Sequence, residues 1–281
     1  MIKRLPYYLK LIRPVNLFII FCTQFIFVLK ATGFDVSSFI LPDFFLIVSA
    51  IILTTAAGYI VNDLFDIEID KINKPLKQYI PQPIGFKEAK IFYFVLVIAG
   101  ITTSFFVGYS FLALVVAVNI LLYYYSQDLK KSILFGNLLV SFLSGMVVFT
   151  TTYACFNNSN NYYAMYSLLA FLMTMSRELV KDVQDMEGDA AHGAKTLPIV
   201  LGPTASKWGA SISTALVVAV LIFTAFLANK QGFWLGIGAL IAWFIFTIQQ
   251  LWLAHKPSEF GRISFFLKIG MFAGILSVLL V

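Results

Sequence analysis

The sequence is poor in the side chains that form disulfides or bind transition metals. It contains two cysteines and two histidines among 281 residues. Cys22 and Cys155 lie in or beside apolar segments, so we expect neither a structural disulfide nor a thiolate metal site. His192 is a lone histidine in a polar segment, and we interpret it as solvated rather than catalytic.

Charged residues are also scarce. They make up 12% of the chain, while hydrophobic residues make up 60% and the mean hydropathy is +0.87. Soluble globular domains carry about twice as much charge, so the composition indicates an integral membrane protein surrounded by membrane lipids. We expect no nucleic-acid partner, and the sequence indicates no obligatory protein partner.

Long hydrophilic stretches are missing too. No polar segment is long enough to build a core of its own, which predicts a single intramembrane domain over residues 1–281. Apolar runs of the length that crosses a bilayer as a helix occur nine times, at residues 15–33, 40–61, 89–108, 110–126, 133–153, 162–178, 209–228, 233–254 and 263–281. The predicted fold class is therefore an all-α, polytopic membrane protein with nine transmembrane helices.

The few charges are distributed unequally between the two sides of the membrane. If alternate loops are assigned to opposite sides, 18 of the 20 Lys and Arg residues and 12 of the 14 Asp and Glu residues fall on the side of the N-terminus. Because the side richer in Lys and Arg normally stays cytoplasmic, the N-terminus is predicted to be cytoplasmic and the C-terminus outside. The start MIKRLPYYLKLIRP lacks the pattern of a cleavable signal peptide, so the first apolar run is expected to serve as an anchor.

Two acidic motifs follow the second and sixth apolar runs, in the longest cytoplasmic connections, at about residues 62–88 and 179–208. Both read Asp-x-x-Asp-x-x-x-Asp and begin 119 residues apart: Asp63, Asp66 and Asp70 in the first, Asp182, Asp185 and Asp189 in the second. At 100° per residue the three positions of either motif fall within about 60° of a helix surface, which predicts one carboxylate stripe per helix end. Glu68 and Glu187 fall on the opposite side, and Gly188 is a candidate end for the second helix.

Acidic residues at helix ends are often only solvated, but two motifs with matching spacing favour a bound cation. Neighbouring carboxylates repel at about 1 kcal/mol per pair even in water, and they also oppose the helix dipole at a C-terminus. Oxygen ligands without His or Cys suit Mg²⁺ or Ca²⁺ rather than Zn²⁺. Since Mg²⁺ usually completes its octahedron with substrate phosphates, the sequence predicts a phosphorylated ligand, which nearby lysines could contact.

The motifs together resemble those of the UbiA-type intramembrane prenyltransferases, which transfer an isoprenoid chain from its diphosphate to an acceptor. The similarity covers essentially the whole chain. Its parts are Arg13-Pro-x-Asn16, Asn62-Asp63-x-x-Asp66-x-x-x-Asp70, Tyr125-Ser-x-x-Leu-Lys130-Lys131 with Gly136-Asn137, and Asp182-x-x-Asp185-x-x-x-Asp189 with Lys195-Thr-Leu-Pro198. The resemblance implies nine helices around a central cavity, with Mg²⁺ held between the two acidic motifs.

Within that family, the segment RELVKDVQDMEGDAAHGAKTLPI is similar to the digeranylgeranylglyceryl phosphate synthases of ether-lipid biosynthesis, as is NDLFDIEIDKINKP. This implies a geranylgeranyl diphosphate donor and geranylgeranylglyceryl phosphate as the lipid acceptor. The chain departs from the family in one respect, because the Arg-Pro-containing run that commonly follows the first motif reads NKPLKQYIPQPIG here. Lys74 and Lys77 are candidates to replace that arginine at the diphosphate.

The residue types and the resemblance together give a set of candidate site residues. The predicted metal ligands are the six aspartates of the motifs, of which Asp63, Asp66, Asp182 and Asp185 are also predicted to be catalytic through the metal. The predicted substrate-binding residues are Asn16, Asn62, Lys74, Lys77, Tyr125, Lys130, Arg177 and Lys181.

Two other functions remain open from the sequence. An aromatic prenyltransferase of quinone biosynthesis would share the donor chemistry and differ only in its acceptor. A divalent-cation transporter could also use acidic stripes in a helical bundle, but the acids cluster at one face and almost no charge lies along a path across the membrane.

Overall fold

The computed structural model describes residues 4–33, 42–75, 78–156, 161–228 and 230–280. Within these ranges the regular structure is helical and contains no strand. The helices are α1 (Leu5–Leu11), α2 (Pro14–Ala31), α3 (Pro42–Phe65), α4 (Ile67–Asn73), α5 (Phe86–Phe105), α6 (Tyr109–Gln127), α7 (Phe135–Phe156), α8 (Asn161–Gln184), α9 (Met186–Ala191), α10 (Leu197–Leu201), α11 (Pro203–Ala228), α12 (Gln231–Leu253) and α13 (Pro257–Ser277). Short 3₁₀ segments occupy Leu129–Lys131 and Val278–Leu280.

The long helices correspond to the nine predicted spans. Among the described residues, nine helices have 18 or more residues, and seven of them are apolar enough by hydropathy to cross a membrane. The other two are α7, whose apolar part Phe135–Thr150 is shorter, and α8, which carries charged residues in its last two turns. The prediction of an all-α, polytopic membrane protein is confirmed, and the central cavity stays a prediction.

Two helices extend well beyond their predicted ends. α3 continues to Phe65 and α8 to Gln184, whereas the apolar runs end at 61 and 178. Apolar residues show which part of a helix can lie in the hydrocarbon core of the bilayer. The helix itself continues through polar residues, because its backbone hydrogen bonding does not depend on apolar side chains. Asn62, Asp63 and Asp182 therefore lie on the helices, as the predicted carboxylate stripes at the helix ends require, although the apolar runs stop before them.

The chain divides into two compact units, and the single-domain prediction over 1–281 stays a prediction. Of the described residues, those up to Phe25 and from Pro42 to Lys130 form the first unit, and those from Ile26 to Gly33 and from Lys131 onward form the second. In the first unit α3 packs against α5 and α6, with buried aliphatic side chains at Ile60 and Ile84. This packing fixes the end of α3, where the first motif begins.

In the second unit α8 is the central helix. It packs against α7, α11 and α13, around a core that includes Leu179, Val180, Ala210 and Phe260. Gly145 of α7 allows a close approach of the two backbones, because a Cβ at this position would lie 2.8 Å from the backbone oxygen of Ser167 on α8. The position of α8, and of the second motif at its end, therefore depends on a small residue in α7.

We predict that Gly145→Ala lowers the thermal stability of the purified protein. The added methyl group must displace the backbone of α8, and overpacking of this kind costs about 1–3 kcal/mol. The matched control is Gly238→Ala in α12, where a Cβ would meet nothing within 4 Å and where alanine favours the helix by about 1 kcal/mol. Melting in detergent followed by fluorescence tests the pair, and equal melting temperatures would contradict the packing described here.

Candidate active site

The first acidic motif lies across a break between two helices. α3 ends at Phe65, Asp66 has φ −92° and ψ 4°, and α4 begins at Ile67. The backbone N–H of Asp66 still donates to the oxygen of Asn62 at 3.0 Å, and the N–H of Asp70 donates to the oxygen of Asp66 at 2.7 Å. Asp66 thus donates the last hydrogen bond of α3 and accepts the first one of α4, and it separates the two helices.

The second motif has the same local structure. α8 ends at Gln184, Asp185 has φ −96° and ψ 5°, and α9 begins at Met186. The backbone N–H of Asp185 donates to the backbone oxygen of Lys181 at 2.8 Å, and the N–H of Asp189 donates to the backbone oxygen of Asp185 at 3.1 Å. Each motif thus places one aspartate in the last turn of a long helix, one at the break and one in the short helix that follows.

This arrangement corrects two predictions. The carboxylates do not form a stripe on one uninterrupted helix, because the middle aspartate of each motif marks the break. Gly188 is not the end of the second helix, since it is buried inside α9, and Asp189 after it also belongs to α9. Sequence periodicity could not detect the break, because neither motif contains a helix-breaking residue at that position.

Burial separates the motif aspartates from the neighbouring glutamates. All six aspartates are half-buried, whereas Glu68 and Glu187 are exposed. Glu68 pairs with Lys71 on the surface of α4 at 2.6 Å. The two glutamates therefore point away from the partly buried surface that the aspartates share within each motif.

Each aspartate of the first motif is paired with a basic side chain. Arg13 Nη2 donates to Asp63 Oδ1 at 2.6 Å, and Lys74 Nζ donates to Asp70 Oδ1 at 3.0 Å. Lys130, at the 3₁₀ segment after α6, pairs with Asp66, and both side chains are nearly buried. A partly buried carboxylate is stable only when a cation or donor compensates its lost hydration, which accounts for the three pairs.

Arg13 reaches the motif because of its backbone conformation. It connects α1 to α2 with φ +53°, the only positive φ among the described residues other than glycine. This conformation costs about 1–2 kcal/mol for a residue with a side chain. The guanidinium lies 4.7 Å from the ring centroid of Tyr59, one turn before Asp63, so a cation–π contact and an ion pair compensate the strain.

Two asparagine amides orient motif carboxylates. Asn62 Nδ2 donates to Asp66 Oδ2 at 2.7 Å, and the role of Asn62 in substrate binding stays a prediction. Asn137 Nδ2 donates to Asp182 Oδ2 at 2.7 Å from α7. The sequence motif contained Asn137 without assigning it a role, and only the packing of α7 on α8 gives it a carboxylate partner.

Sequence reasoning also missed Glu178. Its carboxylate is buried in α8 and accepts from Arg177 Nη1 at 2.7 Å and from Lys181 Nζ at 3.0 Å. Arg177 and Lys181 were predicted as substrate-binding residues, and the structure brings them to one carboxylate. The spacing of Glu178 and Lys181 by three residues was a detectable signal, but it is also common on solvated helix surfaces.

Two of the remaining predicted residues lie on α2 and α6. Asn16 lies half-buried in the first turn of α2, and Tyr125 lies half-buried near the end of α6. Lys77 lies outside the described residues. His192 Nδ1 is 2.9 Å from the backbone oxygen of Gly188, which is a local contact after α9.

The donor set of these motifs fits a hard divalent cation that is completed by a ligand. The side chains offer carboxylate and amide oxygens, which suit Mg²⁺. In the described part of the chain, however, no three His, Cys, Asp or Glu side chains are grouped closely enough to hold a metal by themselves. Such a donor set matches the usual Mg²⁺ site of one or two carboxylates plus substrate phosphates better than an all-protein cage.

Long apolar helices and two matching aspartate motifs at helix breaks define an intramembrane protein with carboxylate groups at the ends of two long helices. The chain belongs to the UbiA prenyltransferase family, whose model matches residues 18–270. It is therefore an integral membrane prenyltransferase, and the transporter alternative is set aside.

Two named relatives are similar in sequence to most of this chain. The digeranylgeranylglyceryl phosphate synthase of Methanobrevibacter smithii is 32% identical over 276 residues, which are 94% of this chain and 93% of the relative. The enzyme of the same name from Saccharolobus solfataricus is 34% identical over 81% of this chain and 80% of its own.

Solved structures share the fold. A structure from work on digeranylgeranylglyceryl phosphate synthase in membranes has 30% identity and a TM-score of 0.71, covering 98% of this chain and 97% of that one. A UbiA homologue from Archaeoglobus fulgidus bound to GPP and Mg²⁺ has 17% identity and a TM-score of 0.63, covering 97% and 99%.

We predict that Asn137→Ala weakens the response to Mg²⁺. Loss of a side chain that orients a metal-binding carboxylate typically costs about 10- to 100-fold in metal affinity or activity. The matched control is Asn119→Ala, which removes another buried helical amide, bonded to the Thr54 hydroxyl at 3.4 Å. Titration of initial rate with Mg²⁺ tests both variants. A half-saturating Mg²⁺ concentration that shifts equally in the two would show that Asp182 needs no help from Asn137.

Proposed function

We propose that this prenyltransferase transfers a geranylgeranyl group from geranylgeranyl diphosphate to geranylgeranylglyceryl phosphate. The C1–O bond of the donor breaks, the glyceryl hydroxyl oxygen bonds to C1, and diphosphate and the hydroxyl proton are released. The observation that carries the proposal is the repeated helix-break motif, which places three aspartates at the end of each of two membrane helices. The acceptor is proposed from the named relatives, which match nearly the whole chain.

We propose that the aspartates of both motifs are the ligands of Mg²⁺: Asp63, Asp66, Asp70, Asp182, Asp185 and Asp189. When bound, Mg²⁺ would stabilise the negative charge that develops on the departing diphosphate. The half-burial of these side chains supports the assignment. Water alone does not fully compensate their negative charge, whereas a bound cation would.

The basic partners of the first motif have a second task in this proposal. Arg13, Lys74 and Lys130 each neutralise one aspartate in the structure. Once a divalent cation compensates the same carboxylates, these side chains can bind phosphate oxygens instead, Arg13 through its planar fork and the lysines as point charges. Lys74 would then supply the contact that an arginine makes in relatives carrying the Arg-Pro run.

The surrounding helices contribute by excluding water. An allylic cation formed by loss of diphosphate would react with any nearby water, so the reacting carbon must lie in an apolar environment. Asp63 lies in the last turn of α3, whose segment Asp43–Phe65 is apolar enough to cross a membrane, and Asp182 lies in the last turn of the long helix α8. This placement keeps the anionic head at the polar boundary while the prenyl chain stays in an apolar phase, from which transfer to water costs about 0.8 kcal/mol per CH₂.

We predict that Asp63→Ala, Asp66→Ala, Asp182→Ala and Asp185→Ala each remove at least 99% of activity while the protein stays folded. Each removes a metal ligand without removing apolar core, and a loss of transition-state charge stabilisation is worth about 10²–10³ in rate. Activity is measured as Mg²⁺-dependent diphosphate release with saturating geranylgeranyl diphosphate and acceptor.

The controls for these variants are Glu68→Ala and Glu187→Ala, which change exposed carboxylates of the same two segments. They should retain at least half of the wild-type rate. Near-normal turnover in any two aspartate variants would overturn the metal assignment. Transfer to an aromatic acid but not to the glyceryl phosphate lipid would overturn the proposed acceptor in favour of quinone-type chemistry.

We also propose that the N-terminus and both motifs face the cytoplasm and that the C-terminus lies outside. With native cysteines replaced, Lys87→Cys at the start of α5 should react with a membrane-impermeant thiol reagent only from the cytoplasmic side. Tyr109→Cys at the start of α6, where the side chain is 80% exposed, should react only from outside. Reversed labelling of the pair in inverted and right-side-out vesicles would show that the positive-inside rule misassigns this chain.

A further inference from the structure

The last turns of α8 carry a group of polar side chains that precedes the metal motif. Glu178 accepts from Arg177 at 2.7 Å and from Lys181 at 3.0 Å. The Glu178 side chain is 10% exposed, while Arg177 and Lys181 remain 25% and 29% exposed. The carboxylate is thus buried and pairs with two cationic side chains that are more exposed than it is. A guanidinium has five N–H donors and an ammonium three, so donors remain for a ligand.

Thr174 gives an independent indication of a ligand. It lies one helical turn before Glu178, on the same face of α8, and is 5% exposed. Its hydroxyl is buried and makes no hydrogen bond, whereas Thr224 and Thr247 donate to the carbonyl four residues before at 2.8 Å each. A buried hydroxyl without a partner costs free energy, which a polar group of a bound molecule would recover.

The charges of this group select an anion. Arg177 and Lys181 outnumber Glu178 in this group of three, and Arg and Lys together recognise phosphate oxygens. The neighbouring carboxylate of Asp182, which interacts with Glu178 and Lys181, is compensated by Mg²⁺ in the proposed function. On the basis of the proposed function, we propose that Arg177 and Lys181 bind the phosphate monoester of the acceptor lipid, with Glu178 as the positioning residue that fixes their separation. Thr174 lies beside this subsite and donates to the acceptor head group.

The same charges distinguish the acceptor from the donor. The diphosphate of the donor carries more negative charge and is assigned to Mg²⁺ with the basic side chains of the first motif. A fixed carboxylate between two cations opposes the more highly charged group, and such like-charge juxtaposition is a common source of selectivity. The subsite formed by Arg177, Glu178 and Lys181 therefore favours a monoester bound without metal.

The kinetic test compares acceptors with and without the phosphate. In Lys181→Met and Glu178→Gln, kcat/KM for geranylgeranylglyceryl phosphate relative to geranylgeranylglycerol should fall at least about tenfold, as expected for lost charged hydrogen bonds. The KM for geranylgeranyl diphosphate should change less than twofold. Lys181→Arg, which keeps the charge, should retain most of the ratio. The matched control is Glu68→Gln, which breaks an equally spaced but exposed pair with Lys71 and should leave the ratio unchanged.

A binding test needs no catalysis. In EDTA, geranylgeranylglyceryl phosphate should raise the melting temperature of the wild-type protein more than geranylgeranylglycerol does, because a ligand stabilises the state that binds it. This difference should vanish in Lys181→Met. No difference between the two lipids on the wild-type protein would overturn the inference, whatever the variants do.

The outcomes separate this inference from the proposed function. Lys181→Met could instead raise the KM for geranylgeranyl diphosphate and leave the ratio of kcat/KM for the two acceptors unchanged. Arg177 and Lys181 would then bind the donor, and the inference would be wrong while the proposed function stands. If the wild-type enzyme does not prenylate the glyceryl phosphate lipid at all, both are wrong.

Discussion

A carboxylate that is partly buried at the end of a membrane helix must have a cation or a donor beside it. The effective penalty for an unpaired buried ion is several kcal/mol, and the structure meets this requirement with pairs. Asp63 has Arg13, Asp70 has Lys74, and Glu178 has two basic neighbours on α8. The positions of these basic residues, including the strained backbone of Arg13, follow from the need to compensate acids in a chain with so few charges.

The spacing of the motifs has a related structural reason. Intervals of three and four residues keep side chains on one helix face, and the break at Asp66 and at Asp185 places the third aspartate of each motif in a separate short helix. A break at the middle residue ends the long helix and lets a short helix begin directly after it. Two segments 119 residues apart adopt this same solution, which is stronger support for a shared task than the match of letters alone.

Much of this could be predicted from sequence, and the failures have physical causes. Apolar run length predicted the nine long helices, because crossing a bilayer requires about 20 apolar residues. It placed the ends of α3 and α8 too early, since hydropathy falls before backbone hydrogen bonding stops. The role of Asn137 depends on a partner 45 residues away, and that of Arg13 on one 50 residues away. Such pairings arise from helix packing, which no local pattern encodes.

Glu178 illustrates the limit of pattern reading most clearly. On a solvated helix, a glutamate three residues before a lysine stabilises the helix by about 0.2–0.5 kcal/mol and does not indicate a function. Glu68 and Lys71 form that kind of pair, with both side chains more than half exposed. Burial changes the meaning of the same spacing at Glu178 and Lys181, because a desolvated carboxylate holds its cations in fixed positions rather than sharing them with water. Selection between a monoester and a diphosphate can then rest on the separation of two charges, which a flexible surface pair could not define.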